Sequence, residues 1–427
     1  MFELSIVALG ADGDGLGHHQ NETIFVPGAL PGEIVEVERQ SPRAAALRSI
    51  LHASPARVVP PCPLFGACGG CTLQMLRLDA LLDWKADRVQ QALSEAGFIV
   101  VPEPVLFQTA ERTRRRLDLG IQRVPNGMVI GLHQRHGPPV DMTTCHVASP
   151  EIVALLEPLR LVFSTLGALT GVGDLQINLL ATGPDLLLRT ANEPTASDRA
   201  KLADFARKHS IPRISWASSA RSPQRETLAQ IAPVNQIFGP LTVSPPTGAF
   251  LQATPEGENA IVQAVLRGLP TLNKRDIIIE LYAGCGTLTG PLSQKGKVQA
   301  YEGDTAAATA LRKAQAGHRI DTFNRDLVRQ PLSAQEIAKA RVVVLDPPYS
   351  GAGPQLDAIA ASDIADIIYV SCNPKALVKD ARSLNKAGYE ILDLTVIDQF
   401  LWSSEVETVV TFSKDRKRLR KRYPAAA

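Results

Sequence analysis

The sequence has no long apolar run, few cysteines and little excess charge, and each absence excludes a class of protein. No segment of the 427 residues approaches the roughly 18 uncharged apolar residues that a membrane-spanning helix needs. The six cysteines are too few for a disulfide-stapled secreted module, and the first residues lack the basic region and cleavage site of a secretory signal. A hydrophobic content of 45% excludes a disordered chain. We therefore expect a cytoplasmic protein of about two or three domains, without a membrane partner.

The net charge of +2 conceals a basic C-terminal tail. Residues 414–422 carry seven basic side chains against one acidic side chain, so they contribute +6 and leave −4 for the rest of the chain. A basic tail on a mildly acidic body indicates a polyanionic partner, because each Lys or Arg placed on a phosphate releases a counterion. A solubilising tail without a partner would have the same composition.

The first 56 residues alternate short apolar runs with turns. Strand-like residues 24–26 and 33–37 flank the turn sequence Pro27-Gly28-Ala29-Leu30-Pro31-Gly32. This pattern predicts an OB-like β-barrel of about five strands in domain 1–56. Barrels of this kind often bind oligonucleotides, although a purely structural barrel would have the same pattern.

A proline-rich stretch at residues 54–63 ends this domain, and the pattern changes again near residue 241. Residues 57–240 mix a helical pattern at 76–96 with strand-like and helical segments, which predicts a central α+β domain. Residues 241–413 alternate strands with helices, so we predict an α/β domain with a parallel, doubly wound sheet, followed by the basic tail 414–427. Ligands of such sheets bind beyond the carboxyl ends of the strands.

A glycine-rich loop, Glu280-Leu281-Tyr282-Ala283-Gly284-Cys285-Gly286-Thr287-Leu288-Thr289, follows the first strand of this domain and opens a helix. It is not GxGxxG, which argues against a dinucleotide. Glu302 ends the next strand, where a carboxylate suits two ribose hydroxyls. A nucleoside ligand without a pyrophosphate fits S-adenosylmethionine; the alternative is a tight turn beside a surface glutamate.

Two further motifs also end strands. Asp346-Pro347-Pro348-Tyr349 makes a rigid corner, and it resembles the signature of methyltransferases that act on exocyclic amines, in which the tyrosine stacks on a flipped base. Ser371-Cys372-Asn373-Pro374 positions a cysteine as an exposed nucleophile, whereas a buried strand cysteine is usually an inert core residue. Carboxylates for a general base follow at Glu405 and Glu407.

The combination of motifs resembles one family. Phe250-Leu251-Gln252, the glycine-rich loop, Asp346-Pro347-Pro348, Ser371-Cys372-Asn373-Pro374 and Val406-Glu407 are similar to the corresponding motifs of the RNA uracil-C5 (5-methyluridine) methyltransferases. The barrel resembles that family's TRAM domain, and the resemblance covers nearly the whole chain. It is strongest for the branch with a TRAM domain and an iron–sulfur cluster that modifies 23S rRNA.

The resemblance implies a Rossmann-like, S-adenosylmethionine-dependent enzyme that forms 5-methyluridine through a covalent adduct. Cys372 would add to C6 of uracil and activate C5, and Glu407 would remove the C5 proton so that the thiolate can leave. Glu405 competes for the role of base, but the family's Val-Glu pair matches Val406-Glu407. An amine acceptor needs neither thiol nor base, so these residues favour C5 chemistry over exocyclic-amine methylation.

The resemblance also implies which residues bind the cofactor and the base. Gln252, Tyr282, Thr287, Glu302 and Asp346 are assigned to S-adenosylmethionine, and Phe250 to stacking on the flipped uracil. Three departures concern substrate contacts: Tyr349 stands where the family commonly has Arg, Thr254 where it has Asn, and Phe400-Leu401-Trp402-Ser403 where it has Phe-Pro-x-Thr.

Cys62, Cys68 and Cys71 form a C-x5-C-x2-C group that a distant Cys145 completes. In a cytosolic protein such a set indicates a metal site rather than disulfides. Four thiolates suit zinc or an iron–sulfur cluster, and the spacing does not separate the two. The resemblance implies a [4Fe–4S] cluster, with Cys285 and Cys372 outside it.

The partner implied is RNA. A dense group of arginines between the third and fourth cluster cysteines is expected to contact phosphates, unless it forms a salt-bridged strand: Arg112, Arg114, Arg115, Arg116 and Arg123. The resemblance favours 23S rRNA over tRNA, and we expect a monomer. Exocyclic-amine methylation and RNA binding without catalysis remain the alternative functions.

Overall fold

The computed structural model describes residues 1–218 and 225–423. Its N-terminal part is a closed five-stranded barrel with strand order β1-β2-β3-β5-β4. The strands are β1 (Phe2–Leu9), β2 (Gly15–His19), β3 (Glu22–Val26), β4 (Ile34–Ser41) and β5 (Ala44–His52). Alternate residues fill the interior, as the buried Ile24 and Val26 of β3 illustrate. The predicted barrel of five strands is confirmed.

Helix α1 (Leu78–Glu95) and strand β6 (Val105–Gln108) follow the barrel, but neither belongs to the central sheet. That six-stranded sheet has the order β12-β11-β10-β9-β7-β8 and two helices on one side. Its elements are β7 (Arg116–Val124), β8 (Gly127–Gly131), α2 (Pro150–Ser164), β9 (Val172–Leu180), β10 (Gly183–Thr190), α3 (Ala196–Lys208), β11 (Arg213–Ser218) and β12 (Arg225–Gln230). Ser149 and Thr195 cap α2 and α3 with their side chains.

A short hairpin and an eight-stranded sheet with flanking helices complete the fold. The elements are β13 (Gln236–Phe238), β14 (Leu241–Val243), α4 (Pro255–Gly268), β15 (Ile277–Leu281), α5 (Thr289–Ser293), β16 (Lys297–Glu302), α6 (Thr305–Ala314), β17 (Ile320–Asn324), α7 (Ala334–Ile337), β18 (Val342–Leu345), α8 (Pro354–Ala360), β19 (Asp366–Ser371), α9 (Pro374–Lys386), β20 (Glu390–Asp398), β21 (Glu407–Ser413) and α10 (Arg416–Arg422).

The eight-stranded sheet has the order β17-β16-β15-β18-β19-β21-β20-β6. All neighbouring pairs are parallel except those made by β21, which runs antiparallel to β19 and β20. We call the edge where the parallel strands end the carboxyl edge, and the edge where they begin the amino edge. The central strands are covered on both faces, so β18 reads as an unbroken apolar run of four buried residues.

Early parts of the chain complete this late sheet. Strand β6 pairs with β20 at its end, and α1 packs on α9 and β20. Val89 and Leu93 of α1 are fully buried in the same core as Val396 of β20. The α/β fold class is thus confirmed, and the sheet includes a segment from the region between the barrel and the central sheet. None of the described helices combines the length and apolarity needed to cross a bilayer.

Candidate active site

Cys372 and Glu407 lie opposite each other at the carboxyl edge. Strand β19 pairs with β21 in a register that sets Ser371 against Thr408, so the next position sets Cys372 against Glu407. Directly opposed residues of antiparallel strands have Cα atoms about 4.5–5.5 Å apart. Two residues 35 positions apart in the chain are thus brought together by strand pairing alone.

The carboxylate of Glu407 is buried in a small polar network. Its side chain is 3% exposed, and Gln399 Nε2 donates to Glu407 Oε2 at 3.0 Å and to Gln252 Oε1 at 2.8 Å. Gln252 Nε2 in turn lies 3.4 Å from Asp346 Oδ2. Burial, reinforced by the nearby charge of Asp346, raises the pKa of Glu407 well above its usual value. A carboxylate of this kind is a stronger base than an exposed one.

Cys372 is partly exposed, directly after β19 and before the N-terminus of α9. Burial raises the pKa of its thiol to about 12, and the carboxylates of Glu407 and Asp346 add to the increase. Asn373 caps α9 and also donates to the Tyr349 carbonyl at 2.9 Å, so the two predicted motifs are joined. The thiol therefore lies among acidic groups and is protonated at neutral pH when no cation is bound nearby.

Glu405 differs from Glu407 in its surroundings. It is exposed and precedes β21, which begins at Glu407. Residues 399–406 form a loop, so Glu405 does not share a strand with Glu407. Of the two carboxylates, Glu407 has the larger effect on the Cys372 thiol.

The glycine-rich loop is closed by Glu302. Its carboxylate accepts from the Gly284 amide at 2.7 Å and from the Asp304 amide at 2.6 Å. Gly284 has φ +56°, and a Cβ built on it would meet no atom within 4 Å. The loop backbone is thus open to an approaching ligand, and Glu302 fixes it in place.

The glycine-rich loop begins with a buried acidic residue to which the sequence assigned no role. Glu280, in β15, is 1% exposed, and its Oε2 has no hydrogen-bond partner among the described residues. Burial raises the pKa of Glu280 to about 8, with contributions from Asp346 and Glu302, and burial raises that of Asp346 to about 7. A buried carboxylate oxygen without a partner, on a group whose pKa two further carboxylates also raise, fits a cationic ligand such as S-adenosylmethionine.

The remaining predicted cofactor residues lie on the same loop. Tyr282 has φ +64°, and its hydroxyl donates to the Ala352 carbonyl at 3.0 Å, which ties the loop to the segment after Tyr349. Burial raises the pKa of Tyr282 to about 12. Thr287 is partly exposed near the start of α5. The structure thus places Tyr282 and Thr287 on the loop that Glu302 closes.

An exposed aromatic ring borders the site. Phe250, two residues before Gln252, is 61% exposed. The Arg116 guanidinium lies over it at 4.9 Å from the ring centre, and Arg116 Nε has no hydrogen-bond partner among the described residues. A ring and a guanidinium held in this way offer stacking surface and positive charge together.

A fully buried ion pair supports the loop before Glu407. Lys85 Nζ of α1 lies 2.6 Å from Asp398 Oδ1 and donates to the Phe400 carbonyl at 3.0 Å, and both charged side chains are 0% exposed. Asp398 also accepts from Gln108 of β6 at 3.1 Å. Neither residue could be identified from the sequence, because 313 positions separate them.

The four predicted ligand cysteines line one largely apolar cavity of the central domain, together with Leu117 and Met142. Cys145 Sγ accepts from the amides of Val147 at 3.4 Å and Ala148 at 3.3 Å. No group of three or more His, Cys, Asp or Glu in residues 1–218 and 225–423 could hold a single metal ion. A cluster is larger than one ion and is held by thiolates that accept N–H bonds in an apolar shell, so the cavity of Cys62, Cys68, Cys71 and Cys145 fits that chemistry.

Two of the arginines expected at phosphates are structural. Arg115 is buried and donates to Glu258 at 2.5 Å and to the Gln252 carbonyl at 3.1 Å. Arg123 donates to four carbonyls at the end of α2, including Ser164 at 2.9 Å. The expectation is wrong for these two, because arginines that satisfy helix ends and buried carboxylates have the same sequence pattern as a basic patch.

Comparison with known families agrees with this geometry. The profile described as tRNA (Uracil-5-)-methyltransferase matches residues 338–415, which contain Asp346, Cys372 and Glu407. The TRAM domain profile matches residues 2–38, within the barrel.

Full-length relatives and a solved structure extend the match. An uncharacterized RNA methyltransferase of Mesorhizobium japonicum is 35% identical over 97% of this chain and 98% of its own length. The 23S rRNA (uracil(1939)-C(5))-methyltransferase RlmD of Pectobacterium atrosepticum is 30% identical over 96% of this chain and 93% of its own. The structure of Pyrococcus abyssi tRNA (uracil-54, C5)-methyltransferase with S-adenosyl-L-homocysteine has a TM-score of 0.73 at 19% identity, covering 96% of this chain and 100% of its own. That similarity supports the fold.

Proposed function

The chain belongs to the RNA (uracil-C5) methyltransferase family, and we propose that it transfers a methyl group from S-adenosylmethionine to C5 of a uridine in RNA through a covalent bond to Cys372. The observation that carries this proposal is the pairing of a partly exposed thiol with a buried carboxylate across β19 and β21. Methylation of an exocyclic amine would require neither group.

Each residue has a defined task in this reaction. The Cys372 thiolate adds to C6 of uracil, which makes C5 nucleophilic, and C5 then takes the methyl group. The Glu407 carboxylate removes the proton from C5, after which the C6–S bond breaks and the thiolate leaves. Gln399 orients the carboxylate through its hydrogen bond to Oε2. Phe250, exposed beside the site, stacks on the base once it has left the RNA stack, an event that costs a few kcal/mol.

The cofactor is held at the carboxyl edge. When bound, S-adenosylmethionine supplies the methyl group and a positive charge. Glu302 and the open backbone at Gly284 suit the ribose, and Thr287 lies on the same loop. Asp346, Glu280 and the Gln252 amide face the charged part, and Tyr282 holds the loop itself. Asp346, one of the carboxylates that raise the pKa of the Cys372 thiol, is therefore also one that a cationic cofactor would neutralise.

We propose that Cys62, Cys68, Cys71 and Cys145 hold a [4Fe–4S] cluster. The support is their shared apolar cavity and the amide donors to Cys145. Such a cluster would act structurally, because neither Cys372 nor Glu407 lines the cavity. Its expected signature is four iron atoms and four acid-labile sulfides per chain, with a visible absorbance that disappears in a Cys68→Ser variant.

Ribosomal RNA is the proposed substrate. Relatives named as 23S rRNA (uracil(1939)-C(5))-methyltransferases match this chain over 95% of its length or more, whereas the named tRNA enzyme shares the fold at 19% identity. Unmodified 23S rRNA and tRNA transcripts, supplied with labelled cofactor, separate the two substrates by which RNA gains 5-methyluridine.

A fluorinated substrate tests the reaction directly. RNA that contains 5-fluorouridine has no proton at C5 to lose, so the methylated adduct stays attached to Cys372. We expect a band shift on denaturing gels for the native chain. The Cys372→Ala variant should give no adduct. Methylation that survives this substitution would instead support the exocyclic-amine reaction.

A further inference from the structure

The basic tail is an anchored helix. Asp415 caps α10 by accepting from the amides of Lys417 at 2.9 Å and Arg418 at 3.3 Å. Leu419 is buried, and the Tyr423 hydroxyl donates to the Ile391 carbonyl at 2.9 Å. The described part of the tail therefore has a fixed position on the eight-stranded sheet.

One arginine of the helix does the anchoring. Arg418 pairs with the fully buried Asp366 and donates to the carbonyls of Gly268 at 2.9 Å and Leu269 at 3.3 Å. Its charge is therefore compensated within the fold. The other basic residues of the helix are exposed: Arg416, Lys417, Arg420, Lys421 and Arg422.

The exposed group faces few opposite charges. Arg416 is 4.0 Å from Glu390, at the limit of an ion pair, and is itself 83% exposed. Asp393 of the neighbouring strand is already paired with Arg267 at 3.0 Å. Lys417, Arg420 and Lys421 have no recorded ion pair among the described residues. A rigid helix thus presents several uncompensated positive charges to solvent.

The helix lies at the amino edge, opposite the reactive cysteine. Strand β21 runs from Glu407 at the carboxyl edge to Ser413 at the amino edge, where Asp366 begins β19. Seven residues of strand span about 20 Å. RNA that reaches both Cys372 and α10 must therefore extend along the whole sheet.

We infer that α10 is a second RNA-binding surface, which takes the phosphate backbone of the substrate at a place remote from the target uridine. This inference rests on the proposed function, because that function makes RNA the partner. Five exposed cations on one anchored helix complement a polyanion and release counterions on contact. Only a large, folded RNA can use this surface, whereas a short oligonucleotide that fills the active site cannot.

A matched pair of variants tests the inference. Arg420→Gln/Lys421→Gln removes two adjacent exposed charges near the end of α10 and leaves Arg418 in place. Arg207→Gln/Lys208→Gln removes two adjacent exposed charges at the end of α3 in the central domain. Both give the same net charge. Binding of full-length unmodified 23S rRNA is measured against salt concentration, and adduct formation is measured on a short 5-fluorouridine oligonucleotide.

We expect the α10 variant to bind 23S rRNA about tenfold more weakly and to lower the slope of log K against log salt by about 1.5, at roughly 0.7–0.9 per phosphate contact. The α3 variant should keep both values, and Arg420→Lys/Lys421→Arg should restore them. Adduct formation on the oligonucleotide should be the same for all.

Three results would overturn the inference. Equal weakening by the α10 and α3 variants would indicate a general effect of charge. An unchanged slope for the α10 variant would show that the helix does not contact RNA phosphates, and would favour an acidic protein as its partner. Weakening on the oligonucleotide as well would place α10 within reach of the active site. If the native chain forms no adduct, the proposed reaction fails, while the salt slopes still report on α10.

Discussion

Buried carboxylates have cationic partners at one edge of the eight-stranded sheet, whereas two at the other edge have none among the described residues. At the amino edge, Asp366 is fully buried and receives Arg418, Arg341 at 3.4 Å and the Ser413 hydroxyl at 2.8 Å. At the carboxyl edge, Glu280 and Glu407 are buried without a cation, and burial raises the pKa of each.

The difference separates structural acids from functional ones. A buried charge without a partner costs free energy that a folded protein normally avoids. Because such carboxylates are kept at one edge only, we infer that they serve bound ligands there. The cofactor would supply the missing positive charge, and Glu407 would accept a proton from the substrate. The paired Asp366 stabilises the fold, and the unpaired acids reserve the opposite edge for a cationic cofactor and a reacting base.

The largest effect is expected from Glu407→Gln. The amide keeps the size and the contact with Gln399 but accepts no proton, so turnover should fall at least about a hundredfold. The adduct between Cys372 and ordinary uridine RNA should then accumulate on denaturing gels. Glu405→Gln, in the exposed loop, is the matched control. An equal loss of turnover in that variant would show that the assignment of the base to Glu407 is wrong.

Asp366→Asn should destabilise the amino edge without affecting the active site. It leaves two arginines facing a neutral amide. We therefore expect the free energy of local unfolding of β19 and β21 to fall by about 3 kcal/mol. Hydrogen exchange of these strands measures it. Cofactor affinity at low temperature should stay unchanged, and a selective loss of affinity would contradict the division between the edges.

Asp346→Asn should have the reverse outcome. Removing a carboxylate that faces the cofactor should weaken S-adenosylmethionine binding about tenfold, or by roughly 1.4 kcal/mol. Calorimetric titration gives the value. Thermal stability of the free protein should be equal or higher, because the pKa of Asp346 is already raised to about 7 by burial.

The smallest expected effect is on the pH dependence of stability. The pKa of Glu280 is raised from 4.5 to about 8, so the folded state binds more protons than the unfolded state between these values. Stability should therefore be greatest below about pH 4.5 with respect to this group and fall as pH rises through about 8.

Glu280→Gln should remove part of that fall, which corresponds to a few degrees in Tm at pH 8. Thermal melts of the native chain and the variant across this range provide the measurement. The variant should also bind the cofactor more weakly. A steeper loss of stability with pH in Glu280→Gln would show that another group titrates.

The sequence predicted the parts of the site that end strands. Cys372, Asp346 and Glu302 each follow a clear apolar run, and parallel strands bring such positions to one edge. Gln399 and Lys85 could not be found in this way, because a loop amide and a helical lysine have no distinctive neighbours in the chain. Their roles depend on contacts with Glu407 and Asp398 that exist only after folding.

The barrel and five late strands, β15, β16, β18, β19 and β21, were also predictable, since local apolar runs and turns define them. Strand β6 was not, because its four residues are exposed or half-exposed at the edge of a sheet whose other strands lie far along the chain. The basic tail was predicted as charge alone. Its anchoring depends on Asp366, which the sequence shows only as an acidic residue at the start of a strand.

The pairing of Lys85 with Asp398 and of Gln108 with the same carboxylate has a consequence for synthesis on the ribosome. The barrel and the central sheet are made of contiguous segments, so each is able to form as it emerges. Helix α1 and strand β6 emerge early, yet their partners follow 313 and 290 residues later. In a nascent chain, the buried face of the amphipathic helix α1 and the strand β6 therefore remain without partners. Co-translational chaperone binding should concentrate on residues 78–108.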